Sequence, residues 1–142
     1  MISVPGYTYT DPPAEVKQMA EGLDASGMVT STVGRGVKDG SGTEVGAIIL
    51  FQYNPKLTVL LDKTAPSKIL DGAVNDAKAN IPGKPTVTAH VLSGSHVRLV
   101  QSASISMAVA YKQGGQLIEV IGPSPTPVLN FTGAYLAAAV KG

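Results

Sequence analysis

The sequence predicts an α+β domain: a single antiparallel sheet of about six strands with helices packed mainly on one face, in the order α-ββ-α-ββββ-α. Three observations predict it. Apolar residues fall at helical spacing in some stretches, they alternate with period two in others, and short Gly- or Ser-rich turns rather than long crossovers join the later strands. Strands grouped in runs point to this class and away from a βαβ repeat. A chain of 142 residues can bury roughly 70% of its unfolded surface around one core. Residues 1–12 read as an extended lead-in and 13–142 as one domain.

Pro5, Gly6, Pro12 and Pro13 oppose regular structure across MISVPGYTYTDPP. Asp11 stands as an N-cap before the two prolines, and Val16, Met19, Ala20 and Leu23 share a face, so a first helix is expected over 13–24. From 28 to 53 the period is two. Val29, Val33 and Val37 share a parity that continues, after the turn cluster KDGSG, through Val45, Ala47, Ile49, Phe51 and Tyr53. Ile48 and Leu50 make the second strand apolar on both sides, which places it centrally in the sheet. NPKLTVLLDKTAP then crosses to a second helix. That helix is marked at its start by Thr64 and Pro66, carries Ile69, Ala73, Ala77 and Ile81 in its stripe, and is stopped by NIPGKP.

The second half reads as a meander of TVTAHVL, HVRLV, SISMAVAYK and QLIEVIG. A two-residue Gly114-Gly115 turn would pair Tyr111 with Ile118 and Val109 with Val120. The same register gathers Ala108, Ala110, Leu117 and Ile121 on the outer face, near Ser106 and Val100. A solvated sheet face normally turns polar there, so either a helix of this chain covers these residues or they form an interaction patch. The last helix is capped by Ser124 or Thr126 and has Pro127 in its first turn. Val128, Phe131 or Thr132, Tyr135 and Ala139 supply its inner face, and Lys141 complements its dipole.

Composition narrows the function. Eleven basic and ten acidic residues give a net charge of +1, without the basic excess of a nucleic-acid surface. Charged residues are 15% of the chain, against roughly 25% in an average soluble protein. The absence of cysteine excludes disulfides, thiolate catalysis and thiolate metal sites. No apolar run approaches the ~20 residues of a membrane helix, so no direct membrane insertion is expected. MISVPGYTYT lacks the basic and apolar regions of a signal peptide. Two locations fit this: the cytoplasm, or the cell envelope for a mature segment whose signal has been removed. Low charge and a Tyr/Thr/Pro-rich opening favour the second.

No motif for catalysis stands out. GRGVKDGSG is Gly-rich but has Asp39 where a dinucleotide loop needs its third Gly, and it leads into a strand rather than a helix, so it reads as a hairpin tip. No G-x-S-x-G elbow is present. Asp71 and Asp76 are about 140° apart around a helix and do not converge. Glu119 reads as a solvated strand carboxylate, and NFT at 130–132 matches a glycosylation sequon inside an expected helix.

The two histidines, His90 and His96, flank SGS. A two-residue Ser93-Gly94 turn would pair His90 with Val97 and put the histidines on opposite faces. Hydrophobic parity favours another register, because Val87, Ala89 and Val91 would face the core together with Val97 and Leu99 only through a three-residue loop, Ser93-Gly94-Ser95. Burying such side chains is worth roughly 1.5–3 kcal/mol each, so parity sets the expectation. It pairs Val91 with Val97, Leu92 with His96 and His90 with Arg98. His90, His96 and Arg98 then form a polar cluster on the outer face, with the histidines about 7–8 Å apart. Arg98 would repel a cation, and neither a metal nor another cofactor is expected.

The segment YKQGGQLIEVIG, feeding a P-x-P-V-L-x-F helix that closes on YLAAAV, is similar to small extracytoplasmic actinobacterial proteins, lipoproteins among them, some with a PsbP-like α+β fold. That resemblance implies the fold but no activity and no functional residues. The expected function is a non-catalytic extracytoplasmic module that binds a protein partner or associates with itself through Ala108, Ala110, Leu117 and Ile121. A structural subunit of a phage-like particle or filament is the second expectation. A metal-dependent enzyme using His90 and His96 is the third.

Overall fold

A computed structural model describes residues 2–14, 16–18, 27–81 and 83–141. The strands are β1 (Tyr7–Thr10), β2 (Val29–Asp39), β3 (Glu44–Tyr53), β4 (Thr86–Leu92), β5 (Ser95–Gln101), β6 (Ser106–Lys112) and β7 (Gln116–Gly122). The helices are α1 (Pro55–Asp62), α2 (Pro66–Asn80) and α3 (Pro125–Lys141). The strands form one antiparallel seven-stranded sheet in the order β1-β2-β3-β7-β6-β5-β4.

This order follows from one long connection. The chain leaves β3 in mid-sheet, crosses one face through α2, and restarts at the far margin as β4. The β4–β5–β6–β7 meander then returns, laying β7 against β3. Because α2 covers the face it crosses and α3 follows β7, the second face is left for α3. The helices therefore pack on both faces, not mainly on one. Val37, Ile48, Leu50, Val97, Ala108, Ala110, Ile118 and Val120 lie with Val128, Phe131 and Tyr135 of α3. On the other side Ala47, Ile49, Phe51, Val100, Met107, Val109 and Leu117 lie with Leu70, Val74 and Ala77 of α2. A sheet buried on both faces has no polar face, which is why its inner strands read apolar throughout.

Several boundaries differ from expectation. The lead-in contains β1, whose Tyr7 and Tyr9 pair with Asp39 and Val37 while the flanking prolines limit it to an edge. Phe131 packs edge-on against Tyr7, with ring centroids 4.9 Å apart, and Tyr9 donates its hydroxyl to the Ile2 carbonyl. Of the first helix expected over 13–24, Ala14 and Val16–Gln18 are helical, Pro13 is not, and residues 15 and 19–24 lie outside the described residues. The crossing NPKLTVLLDKTAP contains the additional helix α1. Asn54 caps it by accepting from the Leu57 N–H at 2.8 Å, and Pro55 fills its first turn. Asn54→Ala is expected to lower stability by about 1 kcal/mol, seen as a lower urea midpoint at unchanged slope.

Two irregularities break the single parity expected for β2 and β3. The pairing shifts between Val29 and Ser31 and again between Val37 and Lys38. Val29 consequently lies on the α2 side and Val37 on the α3 side; Val45 and Ala47 are divided in the same way. GRGVKDGSG spans strand and hairpin tip, where Asp39 accepts from the Ser41 and Thr43 N–H groups and the Ser41 hydroxyl. Gly34 serves packing: a Cβ there would lie 2.4 Å from Cγ1 of Val16, so the helical turn at 16–18 can rest directly on β2.

Candidate interaction surface

Two of the three turns of the meander differ from the expected lengths, and each difference relocates candidate residues. At the β4–β5 corner the pairs are Leu92–Ser95, Val91–His96, His90–Val97 and Ala89–Arg98. The loop is the two-residue Ser93-Gly94 turn, with φ of 51° and 81° at its central positions. Those angles are the left-handed pair that matches hairpin twist. The parity expectation failed because β4 is an edge strand. Burial of Val87 and Val91 would have decided the register only if a layer covered them. In the structure they are 36% and 65% exposed.

At the β6–β7 corner the loop has three residues, Gln113-Gly114-Gly115, and the pairs become Tyr111–Leu117, Ala110–Ile118 and Ala108–Val120. Tertiary contacts account for the longer loop. The Gly115 carbonyl accepts from the Tyr53 N–H at 2.8 Å, and Gly115 sits so close to Thr58 of α1 that a Cβ would clash. A one-residue slip exchanges faces along a whole strand. Ala108 and Ala110 thus lie beneath α3, whereas Leu117 and Ile121 lie on the α2 side. These four residues do not make one outer patch. Ala108, Ala110 and Leu117 are buried within this chain and Ile121 is half-buried.

The polar cluster is divided as well. His90 faces the α3 side, where its Nε2 lies 2.9 Å from the Thr88 hydroxyl. His96 and Arg98 face the α2 side, and Arg98 Nε lies 3.6 Å from the carboxylate of Asp71 on α2. Among the described residues, no group of three His, Asp or Glu side chains is placed to hold a metal ion. Asn130 is exposed on α3, but Thr132 of the same sequon is buried and donates its hydroxyl to the Val128 carbonyl at 2.7 Å.

An uncovered apolar surface lies on β4, and Val59 and Leu60 of α1 are exposed as well. Helix α2 packs over β5 and β6, and its Asp71–Arg98 contact marks the limit of that cover. Beyond it Val87, Ala89 and Val91 stand exposed in a row. On the opposite side the strand is anchored by Leu92 against the α3 core, and the Ser93 hydroxyl donates to the Gly133 carbonyl at 3.0 Å. Among the described residues β5 alone pairs with β4, so the outer backbone edge of this seven-residue strand has no described neighbour strand. The local signal was present in the sequence as the Ser-Gly dipeptide, but nothing local showed that α2 stops short of β4.

An open cleft of about 240 Å³ adjoins the Ser93-Gly94 turn, lined in part by His96, Tyr111, Lys112 and Leu136. The Tyr111 hydroxyl donates to Asp62 Oδ1 at 2.7 Å, and the Gly114 N–H donates to the same oxygen at 3.1 Å. Asp62 thereby ties the end of α1 to the β6–β7 turn. Burial, aided by the Asp62 charge, pushes the Tyr111 phenol up to about 12 from an ordinary 10.0; burial also pushes Tyr9 up to about 12. A raised phenol favours the folded state below the unfolded value and loses that contribution as pH climbs through the folded one. Stability is therefore expected to fall between about pH 10 and pH 12. Tyr111→Phe should reduce that fall in urea titrations, and an unchanged alkaline slope would contradict the linkage.

No family model, no curated protein and no solved structure matches this chain.

Proposed function

We propose that this chain is a non-catalytic interaction module of the cell envelope, and that β4 is the surface through which it engages a protein. The observation that carries this reading is the margin strand Thr86–Leu92, whose outer backbone edge is unpaired among the described residues and whose Val87, Ala89 and Val91 are exposed on one face. Strand addition to such an edge is a general mode of protein recognition, with main-chain bonds supplying affinity and alternate side chains supplying selectivity. The envelope location is supported by the low charge and by the resemblance of the second half to extracytoplasmic proteins; fractionation of the producing cells tests it directly.

A photo-crosslinking residue in place of Val91, compared with the same residue at exposed Asn75 on α2, tests the surface in cells. A discrete protein adduct is expected from position 91 and not from position 75. Equal labelling at both positions, or none at 91, would overturn the assignment of β4.

A further inference from the structure

We infer that the occupant of the β4 edge is a second copy of this chain, paired antiparallel about a twofold axis at Ala89; this rests on the reading of β4 as the working surface. The backbone supplies the first argument. A two-residue hairpin turn makes Leu92 and Ser95 a hydrogen-bonded pair, so the peptide groups of the even-numbered residues of β4 are taken up by β5. Those of Val87, Ala89 and Val91 point outward.

The second argument is self-complementarity. An antiparallel partner centred on Ala89 sets Val87 of each copy opposite Val91 of the other, and Thr88 opposite His90. The three outward residues exchange backbone bonds in register. No Asp, Glu, Lys or Arg occurs between Thr86 and Leu92, and His90 stands opposite Thr88 rather than another histidine, so no like charges stand directly opposite each other across the axis. The β4–β5 register is unbroken by a bulge, and the strand contains no proline or lysine. It therefore lacks the devices that ordinarily keep an edge from pairing.

The third argument concerns stoichiometry. The other margin of the sheet, β1, is only four residues long, lies between Pro5 and Pro12-Pro13, and turns Tyr7 and Tyr9 onto Phe131. With that edge blunted, head-to-tail growth of β4 onto β1 has no adequate template. The isologous β4–β4 contact closes after two copies and joins the sheets across it.

Light scattering coupled to size exclusion, run over a range of loading concentrations, tests the inference. The expected result is a mass that rises with concentration to a plateau at twice the 14.5 kDa chain mass. Hydrogen exchange at the amides of Val87, Ala89 and Val91 should slow in parallel. Val91→Lys, at a position exposed in the single chain, should weaken association by about tenfold or more through the two symmetry-related Val87–Val91 contacts while leaving circular dichroism unchanged. Ala89→Pro removes an outward N–H at the axis and should abolish the dimer. Val91→Lys preserves the test should that proline also disturb the strand. A monomer at every concentration, growth beyond two copies, or a dimer indifferent to Val91→Lys would overturn the inference. A monomer that still yields a heterologous adduct from position 91 would overturn the second copy alone. A monomer without an adduct would remove the β4 assignment as well.

Discussion

Gly46→Ala is expected to destabilise the fold by at least ~3 kcal/mol, more than any surface substitution, because strain and a backbone clash act together. Gly46 has φ of 145°, and a Cβ built on it would lie 1.9 Å from the Ile121 carbonyl oxygen and 2.8 Å from the Gly122 Cα. Both neighbours are backbone atoms of β7, so no side chain can rotate away. The site is also where the β2–β3 register shifts, sending Val45 towards α3 and Ala47 towards α2. Alanine must push β3 from β7 or abolish the bulge, and removing the bulge would send one of those side chains to the wrong face. Equilibrium urea unfolding measures the loss, and a cost below ~1 kcal/mol would show that this crossing is not tightly packed.

Phe131→Ala should cost about 3–5 kcal/mol, the range for removing a fully buried aromatic ring that cannot be replaced by collapse. Phe131 is completely buried, and its ring meets those of Tyr7, Tyr9 and Tyr135. It thus fastens α3 and the edge strand β1 to the same core. The expected signature is a lower unfolding midpoint together with a loss of near-ultraviolet tyrosine dichroism. Amide exchange should quicken in β1 before the central strands, because a four-residue edge strand has little else to hold it. Retention of the tyrosine signal would mean that β1 is held by backbone pairing alone.

The segments with strong, unambiguous periodicity were legible in the sequence. The face Val128, Phe131, Tyr135, Ala139 is the inner face of α3, and the later strands fall within a few residues of their expected bounds. On α2 the expected stripe holds at Ile69, Ala77 and Ile81, but Ala73 is half-buried and the deepest contacts come from Leu70 and Val74, which the stripe leaves out. Register was less legible, for a physical reason. When both faces of a strand are buried, apolar residues no longer mark a face, so β6 and β7 satisfy either alignment. Gly115 packing against α1 decided between them, and α1 itself was hidden in a segment read as a crossing. At the β4–β5 corner the opposite holds, because β4 is an edge strand. Parity signals burial only where a layer covers the strand; among the described residues none covers Val87 or Val91, and the local preference of Ser93-Gly94 prevails.

Sequence alone determined the α+β class, the antiparallel pairing, the two long helices and the exclusion of thiolate chemistry. These follow from period, turn residues and composition, which are properties of neighbouring positions. Tertiary structure alone decided which face each strand side chain occupies, that helices lie on both sides, and that β4 ends the sheet uncovered. Those outcomes depend on where α2 crosses and how far it reaches. Its reach is set by packing between residues distant in the chain, which neither spacing nor composition records.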